Sequence, residues 1–166
     1  MDIDGIRSPL IFQKVTREAV HQFKYQNIRV MAAPLAGLLH NYITENPISA
    51  DVLVPVPLHP RRLSQRGYNQ SLMLARELGK LTGITVRSDI LKRRINTPPQ
   101  ARTADSIERY RNMRGAFTSI NGKLKDKRVL LIDDVSTSGA TLDACASALK
   151  QAGAASVWGL TVAREV

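Results

Sequence analysis

The chain has 166 residues, 43% hydrophobic and 23% charged, the length and composition of about one globular domain. No run approaches the ~18–20 apolar residues of a membrane span, and the opening Met1-Asp2-Ile3-Asp4 lacks the basic region of a secretory leader. One cysteine and three scattered histidines exclude an internal disulfide and a Cys-x-x-Cys zinc cluster, so a cytoplasmic protein is expected.

Residues 12–25 read as a helix, with Phe12, Val15, Ala19 and Phe23 spaced by three and four. A second helix is expected over 30–43, carrying Leu35, Leu38 and Leu39 on one side, with its regular part beginning near Pro34. Asn46-Pro47 closes this region as a turn. The β-branched run from Asp51 to Pro57 predicts a buried strand emptying into a stiff loop. Asn69 then caps a helix to about residue 81, with Leu72, Ala75, Arg76 and Leu78 spaced helically and Gly83 as its stop. Residues 84–91 predict another strand. Residues 92–114 hold Pro98-Pro99 and little apolar pattern, the profile of a long functional loop.

The run Arg128-Val-Leu-Leu-Ile132 is continuously apolar after its first residue, the mark of a strand covered on both faces. A helix over 139–151 follows, turning Leu142, Cys145, Ala146 and Leu149 inward and stopping at Gly153. Residues 156–162 predict the last strand. Strand, helix and strand with short joints make a parallel, right-handed βαβ unit. The expected fold class is therefore α/β, a parallel sheet with helices on both faces. Cys145 lies in an alanine-rich apolar stretch and reads as a small buried filler.

Charge is unevenly placed. Lys plus Arg number 24 against 14 Asp plus Glu, a net +10 that favours anionic partners such as nucleic acid, an acidic membrane surface or a polyphosphate. Residues 61–66 carry three arginines and no acid, and residues 87–114 carry eight basic and three acidic side chains. The stretch from 129 onward is acidic on balance, with Lys150 and Arg164 against Asp133, Asp134, Asp143 and Glu165.

The most specific feature is Val129-Leu-Leu-Ile-Asp-Asp-Val-Ser-Thr-Ser-Gly-Ala-Thr141. Two adjacent carboxylates, Asp133 and Asp134, leave the end of a buried strand, where open α/β sheets bind their ligands. The turn after them is rich in hydroxyls and runs into a helix N-terminus, which offers N–H groups and about half a positive charge to a phosphate. Gly139 lets that phosphate approach the backbone. The carboxylates would repel a phosphate and suit sugar hydroxyls or a hydrated cation. A ribose 5-phosphate satisfies both halves. A Walker B strand would need a Gly-x-x-x-x-Gly-Lys-Ser/Thr loop, which is absent, and an Asp-x-Asp phosphatase would need an acid at Val135. A receiver domain would carry its acidic pair after the first strand rather than near the C-terminus.

The segment resembles the phosphoribosyl pyrophosphate (PRPP) signature of type I phosphoribosyltransferases. The resemblance implies that Asp133 and Asp134 hold the ribose hydroxyls and that Thr137, Ser138, Gly139, Ala140 and Thr141 wrap the 5-phosphate. It implies a pyrophosphate loop at Leu58, His59, Arg61 and Arg62, working through backbone amides and the arginines. It also implies a mobile loop from Lys92, Arg93 and Arg94 to Arg114 that closes over PRPP, with Mg²⁺ as cofactor. Arg66-Gly-Tyr-Asn-Gln70 begins a helix and reads equally as a structural start or a substrate contact.

Within that superfamily the chain is most similar to the ComF family of DNA-uptake competence proteins. The matching pieces are Phe23-Lys24-Tyr25, the stretch from Val54 to Arg62, Arg66-Gly-Tyr-Asn-Gln70, Arg93 with Thr97 and Gln100, Arg111-Asn112, Gly115-Ala-Phe117 and the PRPP motif. The resemblance implies an N-terminal helical hood over residues 1–47, with Lys24 pointing to the acceptor, and a phosphoribosyltransferase core over 48–166. Many relatives begin with a four-cysteine zinc module, but no cysteine precedes Cys145, so that module's role is not carried over to this shortened or zinc-free chain. Purine-salvage relatives place an aspartate where Thr137 stands, which disfavours a hypoxanthine or guanine acceptor. The competing expectation is a non-catalytic competence factor that engages single-stranded DNA or partner proteins. Aromatics at only 5% argue against a base-stacking platform.

Overall fold

The computed structural model describes residues 1–11, 18, 20–22, 29–96, 113, 115–120 and 122–165. In chain order its elements begin with β1 (Gly5–Arg7), β2 (Leu10–Ile11), a 3-10 turn (Arg29–Met31) and α1 (Ala32–Glu45). There follow β3 (Val52–Pro55), α2 (Pro60–Arg66), α3 (Gln70–Thr82), β4 (Thr85–Val86), β5 (Leu91–Arg93) and β6 (Phe117–Ser119). The chain closes with β7 (Arg128–Ser136), α4 (Ala140–Gln151) and β8 (Ser156–Arg164). The main sheet runs β1-β8-β7-β3-β4, with β2 also on β8, and every pairing in it is parallel.

β7 is central because successive side chains point to opposite faces and both faces are covered. On one face Leu131 packs with Leu142, Cys145 and Leu149 of α4. On the other, Leu130 and Ile132 meet Leu35 and Leu39 of α1 and Leu74 and Leu78 of α3. Each such leucine contributes ~1.5–3 kcal/mol on burial. The expected α/β sheet with helices on both faces is thus the observed one. At the amino ends of the strands, Arg128 donates to Asp51 from its amide (2.8 Å), Nε (3.0 Å) and Nη2 (2.7 Å), clamping β3 to β7. The Arg128 hydrogen bonds hold the Asp51 carboxyl well below the usual range.

Several expectations are corrected. No strand was expected before residue 51, yet β1 and β2 lie along β8. The strand expected over 84–91 divides into β4 and β5, which belong to different sheets. After Arg87 N–H donates to Leu53 O, the forked Arg87–Asp89 ion pair (2.9 Å on each arm) accompanies the bend that takes the chain out of the main sheet. Ile90 and Leu91 then join the α4-side core. On α3 the buried residues are Gln70, Ser71, Leu74, Ala75 and Leu78, and Arg76 faces out. Most of the helix expected over 12–25 lies outside the described residues, although Glu18 and residues 20–22 are helical.

Candidate functional site

Parallel pairing brings the carboxyl ends of β3 and β7 to one edge, with Pro55 opposite Ile132 and Val56 N–H donating to Ile132 O. The acidic pair lies there, still within β7. Asp133 is half-buried and Asp134 only 2% exposed. A carboxylate that deep costs several kcal/mol unless donors replace its water. Asp133 Oδ1 accepts from Ser71 Oγ at 2.8 Å and from Asp134 N–H at 2.9 Å. Asp134 Oδ1 accepts from Val135 N–H at 2.7 Å, and its Oδ2 from Gln70 Nε2 at 3.5 Å. Ser71 and Gln70 form the first turn of α3, where the helix dipole also favours negative charge.

The segment 66–70 builds that helix start. Gly67 ends α2 at φ 82°, the left-handed cap that glycine tolerates. Asn69 Oδ1 accepts from Ser71 N–H (3.0 Å) and Leu72 N–H (3.4 Å), and its Nδ2 donates to Val56 O (3.1 Å). Arg66 Nη1 donates to Gln70 Oε1. These contacts give the motif a structural role at the start of α3. Sequence reasoning missed Ser71, which is 62 residues from its partner Asp133. The available signal was a serine on the buried stripe of an amphipathic helix.

In the turn between β7 and α4, Thr137 is exposed, Ser138 and Thr141 half-buried, and Gly139 and Ala140 buried. Gly139 has φ 77°, and a Cβ there would come within 3.1 Å of Ile6 Cδ1. Ser138 Oγ accepts from Ala140 N–H at 3.4 Å, and α4 has no side-chain cap. This leaves the helix start to its backbone amides, the arrangement suited to an anion.

The arginine segment differs from the expected loop. Leu58 and His59 lie in a loop, but Pro60–Arg66 is a helix, with His59 Nδ1 accepting from Arg61 N–H at 3.2 Å. Proline at the first helical position and a capping histidine explain the turn. The Arg61 amide is therefore engaged by His59. Arg61 is exposed and Arg62 half-buried.

Lys92 and Arg93 are also not loop residues. They lie on β5, paired antiparallel with β6, and Arg94 N–H extends the ladder to Ala116 O. Alternation turns Lys92 to the opposite face from Arg93. The Arg93 guanidinium lies over the Phe117 ring, 5.4 Å from its centroid, and Nε donates to Ile95 O at 3.2 Å. Desolvation, then the positive charge of Arg62, lower the Arg93 pKa, while Cys145 and Asp133 oppose them. Arg62, Arg93 and Asp133, from three separate segments, are thus within one electrostatic neighbourhood. Burial, seconded by Asp133, pushes the Cys145 thiol pKa well up, so it is an inert filler as expected. Lys24, Thr97, Gln100, Arg111 and Asn112 lie outside the described residues.

Among the described residues no group of three or more His, Cys, Asp or Glu side chains could hold a metal ion. The acidic pair offers two carboxylates, which would suit Mg²⁺ together with ligands from a substrate's phosphates rather than as an all-protein site. A groove of about 700 Å³ opens beside the β3 loop, lined by Pro57, Leu58, Tyr68 and Met73 with Arg29 and Arg76. Arg29 lies over the Tyr68 ring at 5.5 Å. No helix among the described residues is long and apolar enough to cross a membrane.

The family model of the phosphoribosyl transferase domain matches residues 21–164. The chain belongs to that family. Competence protein F of Haemophilus influenzae is 33% identical over 150 residues, which are 85% of this chain and 65% of the relative. DNA utilization protein YhgH of Escherichia coli K12 is 31% identical over 143 residues, 83% of this chain and 62% of the relative. Competence protein ComFC of Bacillus subtilis is 29% identical over 160 residues, 95% and 63%. These relatives bear out the ComF-family resemblance, and the chain spans less than two thirds of their length. Glutamine PRPP amidotransferase from B. subtilis, solved with ADP and GMP, shares the fold at TM-score 0.56 and 20% identity. That match covers 84% of this chain and 30% of the amidotransferase chain.

Proposed function

We propose that this phosphoribosyltransferase-family chain binds PRPP at the carboxyl edge of β3 and β7 and transfers its phosphoribosyl group to a nitrogenous acceptor. The observation that carries the reading is the pre-oriented acidic pair, set directly before the uncapped, glycine-led start of α4. Asp133 and Asp134 accept from the ribose hydroxyls. The amides and hydroxyls of residues 137–141 hold the 5-phosphate. Arg61 and Arg62 face the pyrophosphate through their side chains, and Arg93 adds positive charge from the β5 side.

In the reaction the acceptor nitrogen attacks ribose C1, the bond from C1 to the pyrophosphate oxygen breaks, and the acceptor gives up a proton. Positive charge that develops on the ring is flanked by the carboxylates, and the arginines take up the charge of the departing pyrophosphate. Mg²⁺, when bound, would supply counter-charge to the phosphates of PRPP beside Asp133 and Asp134. The acceptor occupies the groove beside Tyr68, one side of which is lined by Arg29, Val30, Ala32 and Ala33 ahead of and at the start of α1. The protein acts in the cytoplasm.

The relatives' names, competence protein and DNA utilization protein, add a second role. The net charge of +10 supports single-stranded DNA or competence-machinery proteins as partners of the same fold. The deciding experiment is a calorimetric titration with PRPP, with and without Mg²⁺, at physiological salt. Mg²⁺-dependent binding is the expected result, and no binding by the folded chain overturns the reading. Competition between PRPP and single-stranded DNA then shows whether the second role uses the same site.

A further inference from the structure

We propose that Ser71 and Gln70 are positioning residues for the acidic pair, with Arg66 acting through Gln70; the functional part of this proposal rests on the PRPP reading above. Ser71 is 1% exposed and Gln70 5%, on a helix face whose other buried members are apolar. A leucine at either position would fill space without a polar group to satisfy. Instead, each carries a donor to one carboxylate of the pair.

Each carboxylate receives a side-chain donor from α3 and a backbone donor. On Asp133 both Ser71 Oγ (2.8 Å) and the N–H of Asp134 meet Oδ1. On Asp134 the N–H of Val135 meets Oδ1 and Gln70 Nε2 reaches Oδ2 at a longer 3.5 Å. A pair of donors from different directions fixes the carboxylate plane, which a single bond leaves able to rotate. The sense of the Gln70 amide is fixed by Arg66. A guanidinium can only donate, so Gln70 Oε1 faces Arg66 and its NH₂ faces Asp134. Asn69 ties the same helix start to Val56 O on the β3 loop. The acidic pair and the arginine-bearing segment are thus referred to one element.

Recognition of neighbouring sugar hydroxyls is directional, and a carboxylate already held in its binding orientation loses less freedom when the ligand arrives. Ser71 and Gln70 raise ribose affinity in this way without touching the ligand.

The test titrates PRPP and inorganic pyrophosphate into wild type, Ser71→Ala, Ser71→Cys and Gln70→Ala by calorimetry. ¹H–¹⁵N spectra of the free proteins follow the Asp134 and Val135 amides. Ser71→Ala and Gln70→Ala should each weaken PRPP about tenfold, the scale seen when outer-shell support of a ligand group is removed. Ser71→Cys, a weaker donor of similar size, should fall between and serves if Ser71→Ala does not fold. Pyrophosphate affinity should stay constant because it does not use the acidic pair. The Asp134 amide resonance should move in the Ser71 variants and that of Val135 in Gln70→Ala. PRPP affinity unchanged in the variants, or equal losses for PRPP and pyrophosphate, overturns the proposal. If wild type does not bind PRPP, the functional reading fails; the positioning claim is then decided by the amide resonances, and unmoved resonances overturn it.

Discussion

The carboxyl ends of β7 and β3 lie side by side and carry opposite charge, yet they are built differently. At the β7 end the acidic pair is buried to half-buried and bonded by two side chains of α3 and by its own backbone. At the β3 end Arg61 stands exposed on a seven-residue helix whose cap is the preceding histidine. The difference follows the task each end has in the PRPP reading. Hydroxyl recognition depends on lone-pair direction and requires a held carboxylate. Neutralising a pyrophosphate depends strongly on distance and charge, which an exposed guanidinium can supply.

The largest effect should come from breaking the held end. Asp133→Asn combined with Asp134→Asn should weaken PRPP by more than about 100-fold, since each lost bond to a charged group is worth ~1.5–3 kcal/mol. The melting temperature of the folded variant, measured beside the calorimetry, should move little by comparison. Retained tight binding would remove the acidic pair from the site. Gly139→Ala forces a Cβ into a left-handed position 3.1 Å from Ile6 Cδ1. It should cost about 1–2 kcal/mol of stability in a denaturant titration, the usual cost of that conformation outside glycine.

A smaller and more selective change is expected at the β3 end. Arg61→Ala with Arg62→Ala should weaken PRPP about tenfold, the size of one or two exposed charge contacts, and leave ribose 5-phosphate affinity unchanged. Equal losses for the two ligands would show that the two ends are not divided by task. The smallest effect belongs to the opposite edge of the sheet. The Asp51 carboxyl has a folded pKa depressed by Arg128, so its contribution is present above the unfolded value of ~3.9 and is lost as pH falls through the folded value. Melting temperature should drop with acid below about pH 4, less steeply in Asp51→Asn, while ligand affinity at neutral pH stays constant in both.

The sequence carried the β7 region well because its constraints are local. A continuous apolar run has to be a strand covered on both faces, and the acids and glycine that follow it are contiguous with it. The cap at Asn69, the stop at Gly83 and the inward face of α4 at Leu142, Cys145, Ala146 and Leu149 were legible for the same reason. Residues whose role depends on distant partners were not. Ser71 meets Asp133 across 62 positions, and no periodicity announces that contact. The helix at 60–66 was hidden by Pro60 and the prolines before it, although a histidine followed by proline is a workable cap and first turn. β1 and β2 span three and two residues, too short for an alternating pattern. β1 even contains a glycine, which strands ordinarily disfavour.

That glycine has a reason: a Cβ on Gly5 would lie 2.3 Å from Cζ3 of Trp158, so the indole occupies the space a side chain would take. The Arg7 guanidinium lies over the same ring at 5.5 Å. Trp158 is the chain's one tryptophan, and its near-ultraviolet emission therefore reports whether the first strand is seated on β8. Release of that strand would uncover the indole to water and shift its fluorescence to longer wavelength, giving an optical signal for loss of the sheet's edge without any added label.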